Sequence, residues 1–347
     1  MSRLVSIIIP AFNSDDTIER CVRSALAQEL PEGDFEVIVV DNGSTDATLG
    51  ILENLPVKVL SESRRGRSAA RNRGARDAEG SYFAFLDSDC VAPATWLADS
   101  LASLKRPWIS AVQARIRKHG HEAPPERFIQ GHYYAPFLDT AGLVVRREAF
   151  AQARGFDEEL PRNVDIDFTF RMLASGYALA WSPRTIVVKY HHLDTKQAFR
   201  RGLEGGKAGS QLEEKWKNLF GYKSRARRYA ARVRGSVKAS VKALWDSEPR
   251  QFELTVSEQV GRLVAYAQTE AAGRPVTRHE YRQVTRVPDV LGPKRFLVVS
   301  DDGSIVFDAE RERAHTLTEA ETSALLDAID GATNQLASTL RARFDET

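Results

Sequence analysis

Cysteine is almost missing from this chain of 347 residues: there are two, Cys21 and Cys90, far apart and outside any paired-cysteine motif. That excludes a disulfide framework and a cysteine-rich zinc site, and it fits a reducing, cytoplasmic setting. A dominant charge is missing too, since 49 Lys and Arg face 47 Asp and Glu for a formal charge of +2. Such a balance creates no global field for polyanions, and without a basic module interleaved with aromatics no nucleic-acid partner is expected. No hydrophobic run approaches the length of a membrane span. The opening "MSRLVSIIIPAF" is apolar, but it is cut by Pro10 and lacks a small-residue cleavage site, so it reads as a first buried strand rather than a signal peptide. What is present is ordinary: 42% hydrophobic content over this length buries a sizeable core and supports more than one folded unit.

The first hundred residues alternate two periodicities. "LVSIII", "FEVIVV", "VKVL" and "YFAFL" are strand-like, and helix-like stretches lie between them around 15 to 28, 45 to 54 and 67 to 78. This βαβ pattern predicts an α/β fold whose sites lie beyond the carboxyl ends of the strands. "PAFN" (Pro10 to Asn13), "DNGSTD" (Asp41 to Asp46) and "DSD" (Asp87 to Asp89) each follow a strand directly, which places all three on one edge. Further on, "TAGLVVRREAF" reads as strand then helix, and "VDIDFTFRMLASG" as a helix closed by Gly176.

Two carboxylates at a strand end, one residue apart, can share a hard cation such as Mg²⁺ or Mn²⁺ while a diphosphate supplies further oxygens. A lone D-x-D triplet is more often a solvated turn. Here Asp41 stands at a neighbouring strand end, and "GRSAARNRG" lies just before the fourth strand. Its Arg67, Arg71 and Arg73 suit phosphate or base atoms, and Gly66 and Gly74 permit close turns.

Taken in order, "VSIIIPAFNSDDTIERCVRSAL", "FEVIVVDNGSTDAT", "GRSAARNRGARDAEGSYFAFLDSD", "AGLVVRREAFAQARGFDEEL" and "VDIDFTFRMLASGY" resemble the blocks of the family 2 glycosyltransferases of the GT-A fold over about residues 4 to 195. The resemblance implies a Rossmann-like mixed sheet and a hexosyltransferase-type enzyme using a nucleotide-sugar donor, a UDP-sugar being favoured. It implies a nucleoside held by Pro10, Ala11, Asn13 and Asp41, with Arg71 near base or phosphate. Asp87, Ser88 and Asp89 form the metal triplet, in which Asp89 is the direct ligand and Asp87 faces the ribose. The base that takes the acceptor's proton falls on Asp165, the Asp of the family's Glu-Asp pair, although the preceding Glu is Val164 here. Asp167, two positions on, reads as a helix-start acid favoured by the dipole. His191 either completes the metal site or contacts the donor phosphates, or it serves structure alone. His192 is assigned to structure. Gly142 either lets the acceptor side approach the backbone or is a packing glycine. Asn13 has a bland alternative as a helix cap, and Pro10 as a strand terminator.

The stretch from Lys223 to Lys242 carries eight Lys and Arg and no acid, with Tyr229, Val233, Val237, Val241 and Leu244 on one helical face. Packing of that face with solvated charges is favoured over peripheral contact of 223–245 with an anionic membrane. Gly and Pro clusters mark a linker ending near 293, and "RFLVVS-DDG-SIVFD" reads as a hairpin followed by two amphipathic helices. Residues 295 to 345 resemble a PqqD-type domain, the recognition element for leader peptides of ribosomally made, modified peptides, with a winged-helix-like α+β fold. A helical dimerisation tail, and hence a homodimer, is the alternative.

The expected organisation is therefore 1–222 GT-A domain, 223–293 basic helical extension and linker, and 294–347 leader-recognition domain. The favoured function is inverting, metal-dependent transfer of a sugar to Ser, Thr or Cys of a precursor peptide bound through its leader at 294–347. The alternatives are a transferase for a cell-envelope glycan or lipid-linked acceptor, and a leader-binding scaffold with an inactive domain. Intact Asp87, Asp89 and Asp165 argue against the scaffold.

Overall fold

The computed structural model of the protein describes residues 4–31, 34–120, 138–190, 195–216, 255–260, 262, 285, 287–292, 294–300, 304–309, 313–332 and 335–346. His191, His192, the basic stretch 223–245 and the turn residues Asp302 and Gly303 lie outside them. The chain divides into two compact units, one of Met1–Glu158, Phe168–His191 and Tyr281–Thr347, the other of Glu159–Asp167 and His192–Glu280.

The first unit is built on one mixed sheet. Strands β1 (Val5–Ala11), β2 (Phe35–Asp41), β3 (Lys58–Ser61) and β4 (Tyr82–Phe85) alternate with helices α1 (Ile18–Leu26), α2 (Thr48–Leu52) and α3 (Arg67–Asp77). β1 pairs in parallel with both β2 and β4, with Ala11 opposite Asp41 and Ile8 opposite Phe85. Ile7, Ile8, Ile9, Ile38, Val39 and Phe85 are buried because helices cover both faces of such a sheet. The carboxyl ends of β1, β2 and β4 thus share one edge, as the order of strands and helices in the sequence requires.

Beyond β4 the sheet continues through β7 (Leu143–Arg146), β6 (Ile109–Lys118) and β8 (Ala178–Lys189). β7 runs antiparallel to both β4 and β6, and β8 parallel to β6, so β8 ends on the same edge as β4. A two-residue strand, β5 (Cys90–Val91), pairs antiparallel with the end of β8 and sets Cys90 opposite Lys189. That pairing is what carries Lys189 to the acids.

Two glycines of α3 have separate causes. Gly66 precedes the helix at φ +128, a backbone region closed to side chains. Gly74 was expected at a turn, but it lies in mid-helix: a Cβ there would stand 2.5 Å from Ile8 Cγ2 and 3.2 Å from Val40 Cγ2. Its function is to let α3 lie close on β1 and β2.

The expected hairpin is present as β9 (Arg295–Ser300) and β10 (Ile305–Asp308), joined on its far side by β11 (Arg313–Thr316) and followed by helices Glu319–Ile329 and Gln335–Glu346. The first of these helices starts on a capping box, Thr318 with Glu321. This partition differs from the expected separation at 294. β9 pairs in parallel with β8, and Leu297, Val306, Leu325 and Phe344 share a hydrophobic core with Ile7 and Trp96. Trp108 donates its indole N–H to Asp330 at 2.7 Å. Arg295, buried, donates to Asp308 at 3.1 Å and to the carbonyls of Leu291 and Phe344 at 3.0 and 2.9 Å.

In the second unit, helix α7 (Thr195–Trp216) is anchored by Asp167. This carboxylate is fully buried and receives Trp216 Nε1 at 2.9 Å and Lys215 Nζ at 2.8 Å. Asp167 stands in the first turn of its helix, as the sequence reading had it, and the fold adds what that reading did not show: a buried carboxylate must be paired, and this one is. No described helix is long and apolar enough to cross a membrane.

Candidate active site

Three loops meet where the sequence placed them. Asn13, at φ +46, accepts from the Thr45 backbone N–H at 2.8 Å, and its own N–H donates to Ser44 Oγ at 3.0 Å. It therefore ties the β1 loop to the β2 loop; the helix cap itself is Thr17, so the bland alternative of an Asn13 cap does not describe it. Pro10 and Ala11 are the last two residues of β1. Asp41, ending β2, accepts from the N–H groups of Gly43 and Ser44 at 3.1 and 3.3 Å, which fixes its carboxylate in a turn of its own loop. The hydroxyls of Ser14 and Ser88 lie 2.9 Å apart and join the first loop to the acidic triplet.

Asp87 is the electrostatic centre. One carboxylate oxygen receives Arg71 at 2.5 Å and the other receives Lys189 Nζ at 2.7 Å. Burial alone would raise this carboxyl, but Lys189, Arg71 and Arg67 outweigh it and hold it well below the usual aspartate range. Lys189 is the mirror case: burial would lower its ammonium, and Asp87, Asp139 and Asp89 instead push it above its ordinary value. Lys189 Nζ also stands 3.6 Å from Asp89 Oδ1. Arg71, expected near base or phosphate, is thus engaged by Asp87, and Arg73 pairs with Asp77 one turn along α3.

Ligand atoms of Asp87, Asp89 and Cys90 lie within 4.8 Å of one another. Their chemistry fits a hard cation unequally. Both Asp87 oxygens are occupied by cationic side chains. The Cys90 thiol is pushed up by burial and by Asp87, so it stays protonated and offers a soft donor. Asp89, one-fifth exposed, is the carboxylate that fits.

Gly142 closes a short 3-10 turn, Thr140–Gly142, and a Cβ added to it would meet Val187, Ile116 and Ala114 side chains at 3.1 to 3.3 Å. The packing alternative describes it. Asp165, a residue of the second unit, lies in the first turn of helix α6 (Val164–Ala174) and accepts from the N–H of Ile166 at 2.9 Å.

Four residues of the site region escaped the sequence reading: Ser14, Asn42, Glu62 and Lys189. Asn42 joins the β2 loop to the start of α3, donating to the carbonyls of Glu62 and Arg64 at 2.8 Å and accepting from Gly66 N–H at 2.8 Å. Lys189 had a signal, a charge closing the apolar run "TIVVKY".

Comparison with known proteins agrees with this fold. Residues 6–175 match the model of glycosyl transferase family 2. Over 199 residues the chain is 27% identical to the glycosyltransferase AglE of Haloferax volcanii, covering 51% of this chain and 64% of that protein. Over 229 residues it is 27% identical to a pre-mycofactocin glycosyltransferase of Mycobacterium tuberculosis, covering 59% of this chain and 47% of that protein. The chain spans less than two thirds of either relative's own length. Among solved structures, the mannosyltransferase PcManGT of Pyrobaculum calidifontis, in complex with GDP-Man and Mn²⁺, superposes with a TM-score of 0.54 at 19% identity, over 78% of this chain and 88% of that one. At that identity the likeness shows the fold alone, and the fold is GT-A.

Proposed function

Starting from residues 6–175 as a glycosyl transferase family 2 domain, we propose that the chain is an inverting glycosyltransferase that moves a sugar from a nucleotide-sugar donor to Ser, Thr or Cys of a ribosomally made precursor peptide. The observation that carries the donor half is the corner of Asp87, Asp89, Arg71 and Lys189 at the carboxyl edge of β1, β2 and β4.

In this reading Pro10, Ala11, Asn13 and Asp41 seat the nucleoside, with the Asn13–Thr45 and Asp41–Gly43 bonds holding the two loops rigid before the donor arrives. Such preorganisation spares the ordering cost at binding. Asp89 would hold a divalent ion, whose charge supports the departing diphosphate when bound. Asp165 takes the proton of the acceptor hydroxyl or thiol as that atom attacks the sugar carbon opposite the leaving group.

The acceptor half rests on the C-terminal segment and on the similarity to a pre-mycofactocin glycosyltransferase. The hairpin of β9 and β10, extended by β11 and followed by two helices, is the feature that supports this reading. Because β8 occupies one side of β9, the edge offered to an added peptide strand is β11, the last strand in the sheet order among the described residues. A leader bound there raises the effective concentration of the core peptide.

The experiment incubates the full chain with UDP- and GDP-sugars and either a synthetic library of short Ser-, Thr- and Cys-containing peptides, each carrying an N-terminal leader segment, or a lipid-linked acceptor. Mass spectrometry follows the sugar, and hydrogen exchange follows the amides of 313–316. Sugar on the peptide with slowed exchange in β11 is the expected result. Transfer to the lipid acceptor alone, with β11 exchange unchanged, would assign the chain to envelope glycans.

A further inference from the structure

Lys189 has no place in the reaction as described, yet it holds the position a cation would take. Its ammonium stands 2.7 Å from Asp87 Oδ2 and 3.6 Å from Asp89 Oδ1, and its side chain is one-fifth exposed. Neighbouring groups fix it there. β5–β8 pairing sets Cys90 opposite Lys189, the Tyr190 N–H donates to the Asp89 carbonyl at 2.7 Å, and the Lys189 carbonyl accepts from His119 at 2.9 Å. Stacking of Tyr190 on His119 at 4.3 Å, with Arg20 over the Tyr190 ring at 4.7 Å, holds the strand end from the other side. This is a built position and not a surface lysine that has fallen onto an acid.

Its consequence for a divalent ion is direct. An ion on Asp89 would sit about 2.0–2.6 Å from a carboxylate oxygen. The Lys189 ammonium is already 3.6 Å from Asp89 Oδ1, so the two cations would crowd one carboxylate. Asp87 offers no relief, because Arg71 at 2.5 Å takes its other oxygen. Two fixed cations thus share this corner with two carboxylates before any ion arrives.

We propose that Lys189 is a resident cation of the Asp87–Asp89 corner, which binds the diphosphate of the donor in the absence of a divalent ion and keeps the corner's affinity for such an ion low. This rests on the donor-site reading above for the diphosphate, though not for the ion. The charge that screens the two acids in the free protein is the charge that meets the phosphates when the donor enters.

The test uses the full chain, its Lys189→Met and Lys189→Gln variants, and the charge-keeping Lys189→Arg, each checked for folding by circular dichroism. Free Mn²⁺ is titrated without nucleotide and followed by electron paramagnetic resonance; UDP and GDP binding is measured by calorimetry in excess chelator. Neutral variants are expected to bind Mn²⁺ roughly tenfold more tightly or better, as removal of a nearby like charge requires, and to lose roughly tenfold or more of chelator-resistant nucleotide affinity. Lys189→Arg should behave as the parent on both counts. Unchanged or weaker Mn²⁺ binding in both neutral variants would overturn the proposal, as would chelator-resistant nucleotide binding indifferent to the variants. Should the parent bind neither UDP nor GDP with or without Mn²⁺, the donor-site reading and the diphosphate half of the proposal fall together. The Mn²⁺ titration still decides the other half.

Discussion

The two acids of the triplet are expected to fail differently when neutralised, although they are one residue apart. Asp87→Asn leaves Arg71, 2% exposed, and Lys189 facing an amide in place of a carboxylate. Breaking a buried pair by removing one partner costs about 3–5 kcal/mol, because the stranded charge keeps its desolvation penalty. At about 2–4 °C per kcal/mol for a unit of this size, the midpoint of thermal unfolding should fall by on the order of 10 °C. Asp89→Asn removes a partly exposed carboxylate 3.6 Å from Lys189, a contact worth about 1 kcal/mol or less. Its midpoint should move by only a few degrees, about 2–4 °C, while Mn²⁺ affinity measured by paramagnetic resonance drops.

The pH dependence carries a definite sign. Asp87 is lowered from its ordinary 3.8, so its contribution is complete above that value and fades as pH falls through the lower folded value. Lys189 is raised from its ordinary 10.5, so its contribution is complete below that value and is lost only at higher pH. The gap between parent and Asp87→Asn should therefore be flat through the neutral range and narrow under strong acid. Far-UV circular dichroism melts across pH read it. Equal melting losses for the two variants, or a gap that widens in acid, would refute the argument that Asp87 is held for structure and Asp89 for chemistry.

Asp165→Asn should leave donor affinity near the parent's while turnover falls by about 10²-fold or more, the scale of a positioned general base; calorimetry with the donor beside single-turnover transfer separates the two. Gly74→Val places a branched side chain where Ile8 Cγ2 is 2.5 Å from the new Cβ, and urea unfolding should show a loss of about 1–3 kcal/mol, the usual cost of overpacking. Glu62, lowered to about 2 by hydrogen bonds from the Arg64 side chain and backbone N–H, contributes stability that is complete above its ordinary 4.5 and lost as pH falls through about 2. Glu62→Gln should accordingly melt below the parent at neutral pH and converge with it in acid.

How the site could be read from the sequence depends on the range of each contact. Strand-helix alternation over the first hundred residues requires β1, β2 and β4 to run in parallel, so Asn13, Asp41 and Asp87 had to reach one edge. Lys189 lies 102 positions from Asp87, and its arrival depends on a two-residue antiparallel pairing that no periodicity records. Gly74 shows the limit of composition in another way. A glycine near a strand reads as a turn, and only the packed helix reveals that the missing Cβ faces Ile8. For Asp167, helical spacing correctly separated it from Asp165, but the indole and ammonium that bury it come from the far end of α7.

The hairpin at 295–308 was equally legible, whereas the partner of its outer strand was not, and this changes how the tail must be probed. β9 is hydrogen-bonded to β8 through Leu179, Ala180 and Trp181, and β8 runs on to Lys189 beside Asp87 and Asp89. Deleting 294–347 would uncover the β8 edge, withdraw Leu297 and Phe344 from the common core and release Trp108 from Asp330. An exposed edge and a cavity of that kind cost stability and invite aggregation. Loss of activity on deletion would then follow from damage to the strand that holds Lys189, whether or not the tail binds a peptide. β11 is separated from β8 by two strands, so exchange of its own amides on adding peptide reads recognition with β8 and the Asp87–Asp89 corner left intact.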